Sequence, residues 1–160
     1  MTPRVAIVTV SDRSARGERE DRSGPALAEA VAAGGGEVVR RDLVPDDPDG
    51  LSDLLREICD GPDAPDVVLT TGGTGLGPRD RTPEATAAAC DRMVPGIAEA
   101  LRARSVAVTP HAVLSRGVAG VRGRTLVVNL PGSPGGARDG WDVVGPVAAH
   151  AASQLRGGDH

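Results

Sequence analysis

One glycine-rich segment carries most of the residues that could do chemistry. Residues 70–84 read Thr-Thr-Gly-Gly-Thr-Gly-Leu-Gly-Pro-Arg-Asp-Arg-Thr-Pro-Glu. Glycines at this density let backbone N–H groups approach an anion closely. The spacing fails the dinucleotide fingerprint G-x-G-x-x-G, and the Gly-Lys-Ser/Thr of a P-loop is absent. The segment therefore predicts an anion or phosphate site of a different kind.

The absence of lysine limits the chemistry further. All 18 basic residues of the 160-residue chain are arginines. Schiff-base and pyridoxal-phosphate chemistry, which need a lysine, are therefore excluded. Any phosphate would have to be bound by arginine, backbone amides and metal.

Composition also excludes several partners. The net charge is -4 and aromatic residues make up 1% of the chain, whereas general nucleic-acid binding needs a basic face and stacking rings. We see no apolar run near the roughly 20 residues that cross a bilayer and no signal-peptide pattern, so we expect a cytoplasmic protein that binds no membrane.

The remaining reactive side chains receive no role. Cys59 and Cys90 form no CxxC or zinc pattern, so buried free thiols are predicted, with a nucleophilic cysteine as the alternative. His111, His150 and His160 show no metal-ligand spacing. The length fits one domain over residues 1–160.

Strands and helices alternate along the chain. Apolar, β-branched runs predict strands over residues 4–10, 37–44, 66–71 and 124–130. Helices are predicted over residues 23–33, with Ser23 as a cap, over 51–58, from a Thr82 cap onward, over 97–102, and in a terminal segment that is interrupted near Pro146 and ends at Arg156. This order predicts a doubly wound, mostly parallel α/β sheet.

The loops after these strands form the candidate site, because ligands of such sheets bind at the carboxyl ends of the strands. The four loops begin at Ser11, Pro45, Gly72 and Pro131. All four are rich in Gly, Ser, Asp or Pro. The polar stretch over residues 13–22 is interpreted as a solvated loop, with a mobile lid as the alternative.

These segments resemble, in order, the MogA/MoaB family of molybdopterin-binding proteins. The similarity covers Val8-Thr9-Val10-Ser11-Asp12-Arg13, Val44-Pro45-Asp46-Asp47, the glycine-rich segment, and Asn129-Leu130-Pro131-Gly132-Ser133-Pro134. It therefore spans nearly the whole chain. The resemblance implies a three-layer α/β/α fold, a homotrimer, and a pterin pocket at the strand ends.

The resemblance also implies an activity and its residues. Catalytic members use Mg-ATP to transfer AMP to molybdopterin, releasing pyrophosphate, before a protein of the same pathway inserts the metal. The family's two functional aspartates correspond to Asp46 and Asp80, which would act in catalysis and hold Mg2+. The implied substrate-binding residues are Ser11, Asp12, Arg13, Thr71, Gly72, Gly73, Thr74, Gly75, Arg79, Pro131, Gly132 and Ser133.

Several alternatives stay open at this point. Asp46 could form only an Asx-turn, Asp80 could pair with Arg79 or Arg81, and Asp12 and Ser133 could serve only their turns. The compact segment after residue 134 is similar to the MoaB-like branch, which favours a noncatalytic pterin carrier as the alternative function. A nucleotide-cleaving enzyme on the same fold is a third hypothesis.

Overall fold

The protein, described over residues 1–159 by a computed structural model, contains a six-stranded sheet. The strands are β1 Arg4–Val10, β2 Glu37–Val44, β3 Val67–Thr71, β4 Arg92–Met93, β5 Ala119–Arg122 and β6 Thr125–Leu130. The helices of the described part are α1 Asp12–Ala15, α2 Ser23–Ala33, α3 Pro48–Asp60, α4 Thr82–Ala89, α5 Pro95–Val106, a 3-10 helix Pro110–Leu114 and α6 Pro134–Leu155.

The sheet order is β2-β1-β3-β6-β5-β4. The neighbouring strands β2, β1, β3 and β6 pair in parallel. Strand β5 pairs antiparallel with β6, and β4 pairs antiparallel with β5 at the edge of the sheet. Strands β1, β3 and β6 are almost wholly buried, as expected of central strands covered on both faces.

Helices cover both faces of the sheet. On one face, Leu27 and Val31 of α2 pack with Trp141 of α6. On the other, Leu55 and Ile58 of α3 pack against the sheet together with α4. The chain therefore has the predicted three-layer α/β/α fold with a mostly parallel sheet. Among residues 1–159, no helix combines the length and apolar character needed to cross a bilayer.

The predicted strands are confirmed, with β3 and β6 each beginning one residue late. The prediction missed β4 and β5, because runs of two and four residues carry no usable periodicity. The predicted interruption near Pro146 was wrong, since α6 continues through it. Val144 and Ala148 on either side are buried in the core, and their packing holds the helix across the missing hydrogen bond.

Two predicted caps were also wrong. Ser23 and Thr82 are the first residues of α2 and α4, and the cap positions belong to Arg22 and Arg81, which make no side-chain cap bond. Asp21 does the capping at α2, where its Oδ1 accepts from the Gly24 N–H at 3.0 Å.

Candidate functional site

The four predicted loops meet at one edge of the sheet. The Ser11 N–H donates to the Val44 carbonyl at 2.9 Å, which joins the ends of β1 and β2. The Gly72 N–H donates to the Leu130 carbonyl at 3.1 Å, and the Thr71 hydroxyl donates to the Pro131 carbonyl at 2.6 Å. These bonds join the ends of β3 and β6, so the carboxyl ends of all four parallel strands form one rigid platform.

Asp12 and Asp46 bind each other through reciprocal bonds. The Asp12 N–H donates to Asp46 Oδ2 at 2.9 Å, and the Asp46 N–H donates to Asp12 Oδ1 at 2.9 Å. Asp46 thus reaches across to the neighbouring loop rather than forming the Asx-turn that was left open. The Asp12 carboxylate also accepts hydrogen bonds from Arg79 Nε at 2.9 Å and from Arg79 Nη2 at 3.1 Å. Its contacts therefore extend beyond its own turn.

The glycine loop, residues 72–81, needs glycine at its start. Gly72 and Gly73 have φ of 106° and 69°, and an added Cβ would lie 2.3 Å from the Val10 carbonyl oxygen or 2.2 Å from Thr82 Oγ1. Only glycine therefore fits at these two positions. The Gly72 amide is committed to Leu130. The amides of Gly73, Thr74 and Gly75 make no hydrogen bond within residues 1–159 and can donate to an anion.

Asp80 is held by its own loop. Its Oδ2 accepts from the Gly77 N–H at 2.9 Å. In the described part of the chain it forms no ion pair with Arg79 or Arg81, because Arg79 pairs with Asp12 and Arg81 with Glu84. The salt-bridge alternative for Asp80 is therefore not what the fold contains.

The two kinds of aspartate differ in their electrostatics. The Arg79 guanidinium, with the Asp46 amide, holds the pKa of Asp12 below its ordinary value. Burial raises the pKa of Asp46, and the negative charges of Asp12 and Asp80 raise it further. Asp46 and Asp80 line one cavity and form no salt bridge with an arginine among the described residues, although the Arg79 guanidinium bound to Asp12 also lowers the pKa of Asp46. Two carboxylates on one wall are an environment suited to a cation.

A cavity of about 440 Å³ opens beside these carboxylates. Its wall contains most of the predicted residues at the strand ends, namely Ser11, Asp46, Thr71, Gly72, Gly73, Asp80, Gly132 and Ser133. Ser133 caps α6 by accepting from the Gly136 N–H at 3.1 Å, so its turn has a structural role as well. Predicted residues Asp12, Arg13, Thr74, Gly75, Arg79 and Pro131 lie outside this wall.

The same cavity contains residues that the sequence did not single out. Arg19, Asp21 and Arg22 line it, so the polar stretch over residues 13–22 borders the site rather than only solvent. Asp21 Oδ2 accepts from the Thr9 hydroxyl at 2.9 Å, which ties this stretch to β1. In the sequence, Asp21 could have been recognised only as a candidate cap for the start of α2, three residues before Gly24.

Thr82 contributes an unpaired hydroxyl beside the site. Its side chain is 1% exposed, and its Oγ1 has no hydrogen-bond partner among the described residues. The position of a Cβ added at Gly73 would lie 2.2 Å from this oxygen and 3.1 Å from Asp46 Oδ1, so both oxygens border the same small space. A buried hydroxyl of this kind normally has a partner.

A second, mostly apolar cavity of about 550 Å³ lies on the other side of the glycine loop. Ala98, Leu101, Val108 and Leu114 supply much of its lining. It shares Ser133 with the polar cavity. The combination places an apolar slot next to a polar cavity.

The cysteines line neither cavity, whereas His111 belongs to the wall of the apolar one. Burial raises the pKa of both Cys59 and Cys90 to about 11, so the thiols stay protonated at neutral pH. Across residues 1–159, no group of three or more His, Cys, Asp or Glu side chains forms a metal cluster. His160 lies outside the described residues.

Fold and site together define a three-layer α/β/α protein whose strand ends present, within the described chain, two carboxylates without a salt bridge and three unpaired backbone amides. A family model described as a probable molybdopterin binding domain matches residues 6–150. The chain belongs to this molybdopterin-binding domain family, as its resemblance to MogA and MoaB proteins indicated.

Known relatives agree with this assignment. The chain is 36% identical over 162 residues to the molybdopterin adenylyltransferase of Helicobacter pylori J99, covering 98% of this chain and 89% of the relative. It is 38% identical over 159 residues to a molybdenum cofactor biosynthesis bifunctional protein of Chlorobaculum tepidum, covering 99% of this chain and 50% of that longer protein.

A solved structure shares the whole fold. The molybdopterin biosynthesis enzyme MoaB of Thermus thermophilus superposes with a TM-score of 0.89 at 53% identity, and the match covers 98% of each chain.

Proposed function

We propose that this protein is a molybdopterin adenylyltransferase of molybdenum cofactor biosynthesis that uses Mg-ATP. The observation that carries the proposal is the pair Asp46 and Asp80, which line one cavity at the strand ends and form no salt bridge with an arginine within residues 1–159. The adenylyltransferase name of the Helicobacter pylori relative supports the same reaction.

The reaction joins two phosphates. An oxygen of the molybdopterin phosphate attacks the α-phosphorus of ATP, a new P–O bond forms, and the bond to the β-phosphate breaks, so pyrophosphate leaves with the electron pair. Such a transfer depends on alignment and charge neutralisation. The unpaired amides of Gly73, Thr74 and Gly75 can donate to phosphate oxygens.

Positive charge at the site comes from several sources. Arg19 and Arg22 line the polar cavity, with Arg22 paired to Glu20 of the same wall, and the start of the 22-residue helix α6 faces it at Ser133 and Pro134. A helix N-terminus favours bound anions. Arg13 and Arg79, which the resemblance implies as binding residues, lie at the outer side, with Arg79 held by Asp12. They would reach substrate only at the rim.

The residues present fit Mg2+. This ion is typically bound by one or two carboxylates together with substrate phosphates and water, which matches a site with two aspartates and no larger cluster within the described chain. Asp46 and Asp80 would hold it, and the buried Thr82 hydroxyl, which has no partner among the described residues, lies beside Asp46 and outside the wall of the polar cavity. Bound there, Mg2+ would neutralise charge on the reacting phosphates.

The two cavities suit the two parts of the substrates. The polar cavity would hold the reacting phosphates, and the apolar cavity across the glycine loop would receive one of the two planar ring systems, from ATP or from the pterin. Ser133, which belongs to both walls, would lie at the junction.

The test is a direct assay of the reaction. Purified protein is mixed with molybdopterin and Mg-ATP, and both pyrophosphate and the adenylylated pterin are followed by mass spectrometry. Asp80→Asn should form no product. Asp53→Asn, which changes an aspartate whose side chain is 80% exposed on α3, should match the unsubstituted protein.

Two results would overturn the proposal. Molybdopterin binding without any product would identify a noncatalytic carrier, and ATP cleavage without transfer to the pterin would identify a nucleotide-cleaving enzyme. Equal activity of Asp80→Asn and Asp53→Asn would reject the assigned site.

We propose the following setting for this activity. The 160 residues act as one domain of a cytoplasmic homotrimer, in which the exposed Val106, Val108, Val113 and Leu114 are covered by another copy. A metal-insertion protein of the same pathway would receive the product, in line with the existence of a bifunctional relative. Light scattering at micromolar concentration should give three times the chain mass, and a monomer alone would contradict the trimer.

A further inference from the structure

Arg116 binds both ends of the glycine loop from a distant part of the chain. It lies between the 3-10 helix and β5, and its backbone N–H donates to the Thr74 carbonyl at 2.8 Å. Its side chain donates from Nε to the Gly75 carbonyl at 2.9 Å and from Nη2 to the Asp80 carbonyl at 2.6 Å. The first and last parts of the loop are therefore held by one residue.

The same guanidinium also reaches the helix that follows the loop. Arg116 Nη1 donates to Glu84 Oε1 at 2.5 Å, and this contact holds the pKa of Glu84 below its ordinary value. All three nitrogens of the guanidinium are thus used in three different directions. A planar fork of donors can do this, whereas a lysine ammonium on a flexible stem cannot reproduce the geometry.

Arg116 itself lies outside the walls of both the polar and the apolar cavity. Its effect on a substrate must therefore pass through the loop that it holds. Because it binds the main chain of Asp80, it restricts the direction in which the Asp80 carboxylate points. Outer partners that orient a metal ligand commonly matter almost as much as the ligand.

We propose that Arg116 is a positioning residue that orients the Asp80 carboxylate by fixing the glycine loop. This inference rests on the proposed adenylyltransferase function for its effect on turnover. Its structural part, the ordering of the loop, does not depend on that function. The two parts can therefore be tested separately in the same variants.

Arg122 provides a matched control. Its Nε and Nη2 donate to the Asp60 carboxylate at 2.9 and 2.7 Å, and its Nη1 donates to the Ala89 carbonyl at 2.8 Å. It therefore makes a similar mixture of contacts to a carboxylate and a carbonyl. None of these contacts involves the glycine loop.

The experiment compares Arg116→Lys with Arg122→Lys in two measurements. In Arg116→Lys, kcat should fall about 10- to 100-fold. Backbone order parameters of Thr74, Gly75 and Gly77 should fall from about 0.85 toward 0.6. Arg122→Lys should change neither quantity.

Each outcome decides one part. If Arg116→Lys keeps a rigid loop, or if its kcat equals that of Arg122→Lys, the positioning role is wrong. If the unsubstituted protein forms no product, the proposed function fails, while the order parameters still decide whether Arg116 fixes the loop. Should Arg116→Lys not fold, Glu84→Gln weakens the contact of Arg116 to the helix, together with the longer Arg81–Glu84 pair, and should give a smaller change in the same direction.

Discussion

Asp66, at the amino edge of the parallel sheet, and two of the aspartates at its carboxyl edge lie in opposite environments. At the amino edge, Asp66 is 3% exposed, accepts from the Arg4 N–H at 2.8 Å and pairs with Arg156. At the carboxyl edge, Asp46 and Asp80 have no arginine partner within the described residues.

The contrast separates stability from function. A buried carboxylate whose bonds are satisfied holds the chain together, because removing it leaves donors unpaired. Carboxylates without a counter-charge add nothing comparable and cost desolvation, so their presence at a cavity points to a ligand. Substitutions at the amino edge should therefore lower stability, whereas substitutions at the carboxyl edge should lower turnover.

The largest expected effect is on turnover at the carboxyl edge. Asp46→Asn should lower kcat/KM for adenylylation by about 100-fold or more, since metal-mediated charge stabilisation contributes several kcal/mol. Its free energy of unfolding should stay the same or rise, because an amide oxygen can still accept from the Asp12 N–H and no charge is buried. Urea unfolding and steady-state kinetics measure the two quantities.

The amino edge should behave in the opposite way. Asp66→Ala leaves the Arg4 amide and the Arg156 guanidinium without their acceptor, and should lower the free energy of unfolding by about 2 kcal/mol. Turnover of the folded fraction should not change. Loss of activity in Asp66→Ala at a temperature where the variant remains folded would contradict the claim that the amino edge contributes to stability and not to turnover.

Much of this contrast could be predicted from the sequence, and the reasons are local. The strands ending at Val10 and Thr71 are continuous apolar runs, so their carboxyl ends and the loops after them were predictable. Gly72 and Gly73 could be recognised because a loop that approaches backbone so closely needs glycine. The resemblance to a family supplied the proposed roles of Asp46 and Asp80, which spacing alone does not predict.

The remaining features depend on contacts between distant positions. Arg116 has no motif of its own and reaches Glu84 only after β5 joins the sheet. Asp66 reads as the start of a strand, and its partner Arg156 is 90 residues away. Strand β5 pairs antiparallel with β6 through four residue pairs, which are too few to give a recognisable alternation of apolar and polar residues.

A smaller effect is expected at the unpaired hydroxyl. Thr82→Val removes a buried donor without a partner, so it should raise the free energy of unfolding by about 1 kcal/mol, while it lowers turnover. Ser52→Ala is the control, because Ser52 Oγ is likewise buried and unpaired but lies on α3. It should stabilise the protein with unchanged turnover. Equal activity of both variants would remove Thr82 from the site.

The smallest effect concerns the charge coupling between the two site aspartates. The pKa of Asp46 is raised by burial and by the charges of Asp12 and Asp80. Replacing Asp80 with asparagine removes one negative charge, so the pKa of Asp46 should fall, and its ionised form should persist to lower pH. Carbon-13 NMR titration of the Asp46 carboxyl measures this directly. An unchanged or higher pKa would show that the two carboxylates do not interact.

The most direct measurement is a crystal structure with Mg2+, molybdopterin and a nonhydrolysable ATP analogue. The account predicts Mg2+ within about 2.1 Å of one oxygen each of Asp46 and Asp80 and of the analogue's phosphates. Phosphate oxygens should accept hydrogen bonds from the Gly73 and Thr74 amides. A metal bound elsewhere, or substrate phosphates bound away from this edge of the sheet, would contradict it.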